Sequence, residues 1–263
     1  MARERISVDP HQRSRRRQQP GGGKRFMLVI IGLLMLLVFA GAAGGYVYEK
    51  KYAPTKELAD PADYFGVSGY EVTIYLDEEQ QADENGKLVL AKCVNGGVFL
   101  PYEWVMSTLN RRFFWASDVA EILYTMPTET LKYGIGDTLS DGSTPFLKLG
   151  NGTENLYLNV KLVAEHTNIR FTSYVSAEQK RIFIFDDFSP YTAATIQKKE
   201  AVRLLGGVKS PVLTTLEQGA NVKVLEAMEN WSRVETEDGY IGWLRNKRLS
   251  DERSVTPESA CTL

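Results

Sequence analysis

Trp231, Tyr240 and Trp243 crowd into one short segment, NWSRVETEDGYIGWLRN, with Glu229 just before it and Asp238 inside it. Aromatic rings combine apolar area with a polar edge. Such rings stack on the apolar faces of sugars or pack around peptide stems, and a nearby carboxylate adds a directional hydrogen bond. These five residues form the candidate ligand surface. Their competing role is packing inside a small fold, which weighs most on Trp243 and least on Tyr240. Strand alternation also argues against all three rings facing one way.

Other chemistries lack their parts. The two histidines, His11 and His166, are far apart in sequence, whereas a catalytic metal normally takes three protein ligands. Glu165 and His166 are adjacent on a helical stretch and point in different directions, so His166 reads as an exposed helix residue. Cys93 in LAKCVN reads as a buried strand residue, and a disulfide to Cys261 would require the C-terminal end to fold back. The carboxylates of Asp186, Asp187 and ETED sit beside turns and read as solvated. Gly206 and Gly207 are followed by no helix or lysine motif that would cradle a phosphate. The sequence therefore predicts no catalytic residues, no metal and no cofactor, and a chain that is not an enzyme.

The charges are segregated along the chain. Residues 1–25 carry eight Lys/Arg against Glu4 and Asp9, while the remainder holds 23 basic and 31 acidic groups. An acidic body repels phosphate backbones, which argues against nucleic acid as a partner. After the basic tail, FMLVIIGLLMLLVFAGAAGGYVY (26–48) is long enough at about 1.5 Å per residue to cross a hydrocarbon core of roughly 30 Å. Its basic flank predicts a cytoplasmic N-terminus and an extracellular body, a single-pass signal-anchor topology in the cell membrane. A cleaved signal peptide is the competing reading, because AGAAGG offers small residues, although the n-region is long for one.

The body reads as modules. Residues 49–64 mix charges with Pro54 and Pro61 and read as a linker. Residues 65–188 read as a duplicated α+β stalk domain: VFLPYEWVMSTLNRRF (98–113) and LYLNVKLVAEHTNIRF (156–171) each pass from strand to short helix, sharing Leu100 with Leu158, Val105 with Val163 and Phe113 with Phe171. Trp104, Val105, Leu109 and Phe113 fall at helical spacings, and Trp104 and Trp115 read as packing anchors. DDFSPYTAA reads as a boundary. Residues 197–250 hold short strands with a Glu-Asp-Gly hairpin signal, too few to bury a large core, and suit a small barrel. Residues 251–263 read as a loose tail. The pattern predicts a single transmembrane helix, then a duplicated α+β domain and a small all-β barrel; that these are a stalk domain and an SH3-like barrel is what the resemblances carried by residues 98–125 and 231–250 imply.

WSRVETEDGYIGWLRNKRLS resembles the closing part of a bacterial SH3 domain, with Trp231 as the first aromatic, Gly239 to Trp243 as the central motif and Leu249 at the closing position. VFLPYEWVMSTLNRRFFWASDVAEILYT resembles the stalk domain found near the N-terminus of some copper amine oxidases and in exported clostridial proteins, which is not the copper site. The order of anchor, stalk and SH3 module is similar to the non-catalytic N-terminal half of membrane-anchored family 18 glycosyl hydrolases of such bacteria. The resemblance implies a cell-envelope module whose partner is peptidoglycan or another wall glycan. The alternatives are the N-terminal portion of an envelope hydrolase or a structural stalk that binds other envelope proteins. No DxxDxDxE segment occurs in the chain, so hydrolase activity is not carried over.

Overall fold

A computed structural model describes residues 22–66 and 69–257, with side chains from residue 26 onward outside the interruption. The chain divides into two compact units, Met1–Ala53 and Pro54–Leu263. In the first, α1 (Gly22–Lys51) contains a window of mean hydropathy 2.8 with no buried residue. It is the single helix among the described residues that is long and apolar enough to cross a bilayer. The basic tail lies almost wholly outside the described residues, so the structure gives no orientation.

The second unit comprises α2 (Pro61–Phe65), β1 (Glu71–Leu76), β2 (Glu79–Gln80), β3 (Leu90–Val94), β4 (Gly97–Pro101), α3 (Tyr102–Trp104), β5 (Phe113–Ala116), β6 (Glu121–Thr125), β7 (Thr130–Tyr133), β8 (Phe146–Lys148), β9 (Leu156–Asn159), α4 (Val160–His166), β10 (Arg170–Tyr174), β11 (Arg181–Phe185), β12 (Tyr191–Ile196), β13 (Glu200–Arg203), β14 (Val212–Leu216), β15 (Asn221–Ala227), β16 (Trp231–Thr236), β17 (Ile241–Arg245) and β18 (Leu249–Val255). One sheet runs β10-β11-β1-β3-β4-β9-β8, with β2 on β1; β5, β6 and β7 form a separate meander. The two similar stretches meet inside the large sheet, where β4 and β9 are antiparallel neighbours and Leu100 is the direct partner of Leu158. Their sequels differ. The second passes through α4 and returns through β10 and β11 to the sheet. The first follows α3 with a π-helical turn, Val105–Leu109, and Phe113 opens β5 instead of closing a helix. Trp104 and Trp115 are buried in the same core as Val105, Leu158 and Leu162.

The central strands are buried on both faces. Val72, Ile74, Ile182 and Ile184 join that core, whereas Tyr75 and Phe183 belong to a second cluster with Phe65 and Ile241. Parallel pairing of β1 with β11 sets Thr73 beside Arg181 and Tyr75 beside Phe183, whose rings stack at 4.6 Å.

The C-terminal strands form one antiparallel sheet in the order β14-β13-β17-β16-β15-β12-β18. Its end strands β14 and β18 do not pair, so the sheet is open where a closed barrel was expected. The edge of β14 is instead covered by residues 55–59: Ala59 N–H donates to Val212 O and Val212 N–H to Glu57 O, each at 2.8 Å. An uncovered edge would present unpaired backbone groups. Part of the segment read as a linker is therefore bound along the module. Two further differences have the same origin. β12 arises from the predicted boundary and inserts between β15 and β18, and residues 251–255, read as loose, continue β18 against β12. Residues 258–263, including Cys261, lie outside the described residues. Cys93 is buried with a free thiol.

Candidate functional site

The five candidate residues divide between the two ends of the β16-β17 hairpin. Along β16, Ser232, Val234 and Thr236 are buried and point to the module core; Trp231, Arg233 and Glu235 face outward. Antiparallel pairing matches Trp231 with Arg245 and Arg233 with Trp243. Alternation then places both indoles on the outer face, diagonal to one another and interleaved with two arginines. Trp243 is thus not a core residue: Leu244 beside it, fully buried, takes that place. Glu200 on β13, itself buried, pairs with both Arg245 and Arg248 at 2.6 and 2.7 Å and fixes the basic edge of this surface.

Gly206 lies over the tryptophans. A Cβ there would stand 3.6 Å from Trp231 Cγ and from Trp243 Cε3. The loop carrying it is held by Leu205 N–H donating to Ser210 Oγ and by Arg203 Nη1 donating to Ser210 O, both at 2.7 Å. Leu205 and Met228 are 64% and 53% exposed around it, and Met228 N–H bonds Trp231 O. Among the described residues neither indole N–H of this pair donates a hydrogen bond. The result is an apolar surface with two unspent donors and a basic border. Glu229 is exposed in the adjoining turn.

Tyr240 and Asp238 lie at the closed end of the hairpin, away from the indoles; the Tyr240 ring and the Asp238 backbone carbonyl are engaged there by Arg181, while the Asp238 side chain is exposed. Arg181 of β11, 4% exposed, donates from Nε to Gly239 O at 3.2 Å, from Nη1 to Gln179 O at 3.1 Å and from Nη2 to Asp238 O. Its guanidinium carbon sits 4.1, 4.6 and 5.1 Å from the ring centres of Phe65, Tyr174 and Tyr240. Tyr174 OH donates to Glu237 O at 2.7 Å, and Tyr64 OH donates to Ile241 O while accepting from Ile241 N–H. The hairpin tip is thereby docked on the large sheet. Gly239 has φ +71°, and a Cβ there would fall 2.6 Å from Tyr174. Sequence reasoning missed Arg181; the available signal was a charge heading the otherwise apolar run RIFIF.

His166 is half-buried and not the exposed residue expected. Its ring stacks on Tyr124 at 4.1 Å, and Nε2 meets Tyr133 OH at 2.7 Å. Burial holds its pKa below the ordinary value. Asp186 and Asp187 are both exposed, and their backbone N–H groups donate to Asp77 Oδ1. No group of three or more His, Cys, Asp or Glu among the described residues is placed to hold a metal.

Glu235 lies half-buried in the seam between the sheets, facing Lys223 on β15 and Glu78 from the β1-β2 turn, with Arg170, Arg253 and Glu237 lining the same cleft. Burial raises its carboxyl to about 7, with Glu78 adding to the rise and Lys223 opposing it. The folded state therefore holds this proton more tightly than the unfolded chain. The stabilisation is complete below the unfolded value of 4.5 and is lost as pH rises to about 7. Glu235→Gln is expected to leave stability unchanged near pH 4 and to raise it by about 2 kcal/mol at pH 8. Chemical unfolding of both proteins at the two pH values measures this, and equal differences at both would refute it.

With this geometry in place, comparison with known proteins gives one family. Residues 202–250 match the model of the bacterial SH3 domain, and the chain carries a domain of that type there. The matched stretch contains Trp231, Tyr240, Trp243, Glu229 and Asp238. SH3 domains are non-catalytic. No curated protein and no solved structure matches the chain.

Proposed function

We propose that this chain, with a bacterial SH3 domain at 202–250 behind a single apolar helix, is a signal-anchored membrane protein. Its N-terminus is cytoplasmic, and its body contacts peptidoglycan outside the cell. The observation that carries the reading is the Trp231-Trp243 pair. Two partly buried indoles with unspent N–H donors, bordered by Arg233 and Arg245, suit stacking on sugar faces with polar contacts at the rim. The eight basic residues before the apolar run at 26–48 support the orientation. The part before the SH3 domain resembles an exported stalk domain in sequence. Anchoring confines the domain near the wall, and the resulting high effective concentration lets a weak contact operate. Tyr240 and the backbone carbonyl of Asp238 serve in this reading by fixing the hairpin, and Glu229 is the carboxylate nearest the indoles in sequence.

The test is co-sedimentation of the full chain, in nanodiscs, with purified peptidoglycan sacculi. Trp231→Ala with Trp243→Ala is expected to reduce retention at least about tenfold while leaving the melting midpoint within a few degrees. No retention of the parent protein, or equal retention of the folded double variant, would overturn the proposal. Protease added to intact cells should remove the body and spare the N-terminal tail.

A further inference from the structure

Arg170 is the most conspicuous unsatisfied group in the described structure. Its Nε is buried without a hydrogen-bond partner, and its guanidinium donates to no acceptor among the described residues. The group is nonetheless held in place. Its carbon lies 5.7 Å from the Phe185 ring centre and 5.3 Å from that of Phe188. A guanidinium packed against rings retains its planar fork of donors for a planar anion.

The fork opens on a cleft of about 400 Å³ in the seam between the large sheet and the SH3-side sheet. The floor follows from strand register: Arg253 pairs with Ala193, Ala193 with Lys223 and Lys223 with Glu235, a row across β18, β12, β15 and β16. Ala193 is the small member of that row, and the space left above it is flanked by cations. Lys223 is already paired with Glu78. Arg253 donates to Asn221 Oδ1 at 3.1 Å, which leaves the Asn221 amide N–H groups without an acceptor among the described residues. Phe185, Tyr191 and Val255 supply apolar lining.

From this arrangement we propose that the cleft binds the terminal carboxylate of a short peptide, with Arg170 as the fork and Arg253 as the second cation. A single negative charge suits the site better than a phosphate dianion, because Glu235 and Glu237 stand on the opposite wall and repel further charge. The apolar lining accommodates small aliphatic side chains, and the Asn221 amide can donate to a peptide carbonyl. This site is separate from the tryptophan surface and does not rest on the wall-binding reading.

The experiment titrates the full chain in nanodiscs with N-acetyl-alanyl-alanine, its C-terminal amide, and glucuronate, read by saturation-transfer NMR and calorimetry. Saturable binding of the free acid is expected near Kd of about 1 mM, with the amide at least about tenfold weaker. Arg170→Gln and Arg253→Gln should each weaken the acid by about fivefold or more, Arg170→Lys should fail to restore it, and Trp231→Ala should leave it unchanged. Arg253 is exposed on an end strand, so its variant keeps the test decisive should Arg170→Gln fail to fold. Equal binding of acid and amide, equal binding of glucuronate, or full affinity in folded Arg253→Gln would overturn the proposal.

Discussion

Arg181→Ala is expected to lower the unfolding free energy of the extramembrane unit by about 3 kcal/mol or more. The side chain is 4% exposed and supplies hydrogen bonds to the carbonyls of Gly239, Asp238 and Gln179. Removing it orphans carbonyls in a seam that water does not freely enter, each costing about 1–3 kcal/mol, and empties the space between Phe65, Tyr174 and Tyr240. Lysine should not rescue it, since one ammonium on a flexible stem neither reproduces the fork nor packs against three rings. Tryptophan fluorescence makes the outcome visible: Trp104 and Trp115 report the large-sheet core, while Trp231 and Trp243 report the SH3-side sheet. Urea unfolding of single-tryptophan versions should show one shared transition in the parent and two separated transitions in the variant. A single transition at the parent midpoint would remove Arg181 from the role assigned to it.

Gly242→Ala should be of comparable severity for a different reason. The constraint here is close approach: a Cβ would lie 2.7 Å from the backbone oxygen of Arg203 and from Leu213 Cδ1, and 2.8 Å from Val202 Cγ1. The backbone oxygen cannot swing aside, so β13 must move off β17, where Arg203 and Trp243 pair. Overpacking of this kind costs about 1–3 kcal/mol and occasionally more, and the small SH3-side core, led by Ile196, Val202, Val234 and Leu244, has little to spare. The loop bearing Gly206 follows β13, so sacculus retention should fall with stability. Gly206→Ala is the internal control. Its added Cβ meets both indoles at ordinary contact distance, and its midpoint should stay within a few degrees of the parent. If Gly242→Ala melts with the parent, the contact is more compliant than the structure implies.

Local sequence was sufficient for features written in a short window. The apolar run near the start specified a membrane-length helix because every turn of it is apolar. The spacing from Gly239 to Trp243 identified the SH3-type hairpin, and the similarity of 98–113 to 156–171 brought out Leu100 and Leu158, which the sheet makes direct partners. Short-range periodicity failed at Phe113, where a helical spacing continues across the π-helical turn into a strand.

What the tertiary structure decided is which faces are covered, and by what. Alternation along YEVTIYL marks two sides of a strand without saying that both will be buried; the second side is buried because the hairpin tip and α2 dock there around Arg181. The same limit applies to the candidate surface. Sequence alone grouped five residues by proximity, yet cross-strand register joined Trp231 to Trp243 and sent Tyr240 and Asp238 to the opposite end. Open edges and inter-sheet clefts, including the one at Arg170, arise from pairings between segments distant in sequence, and no local pattern records such partners.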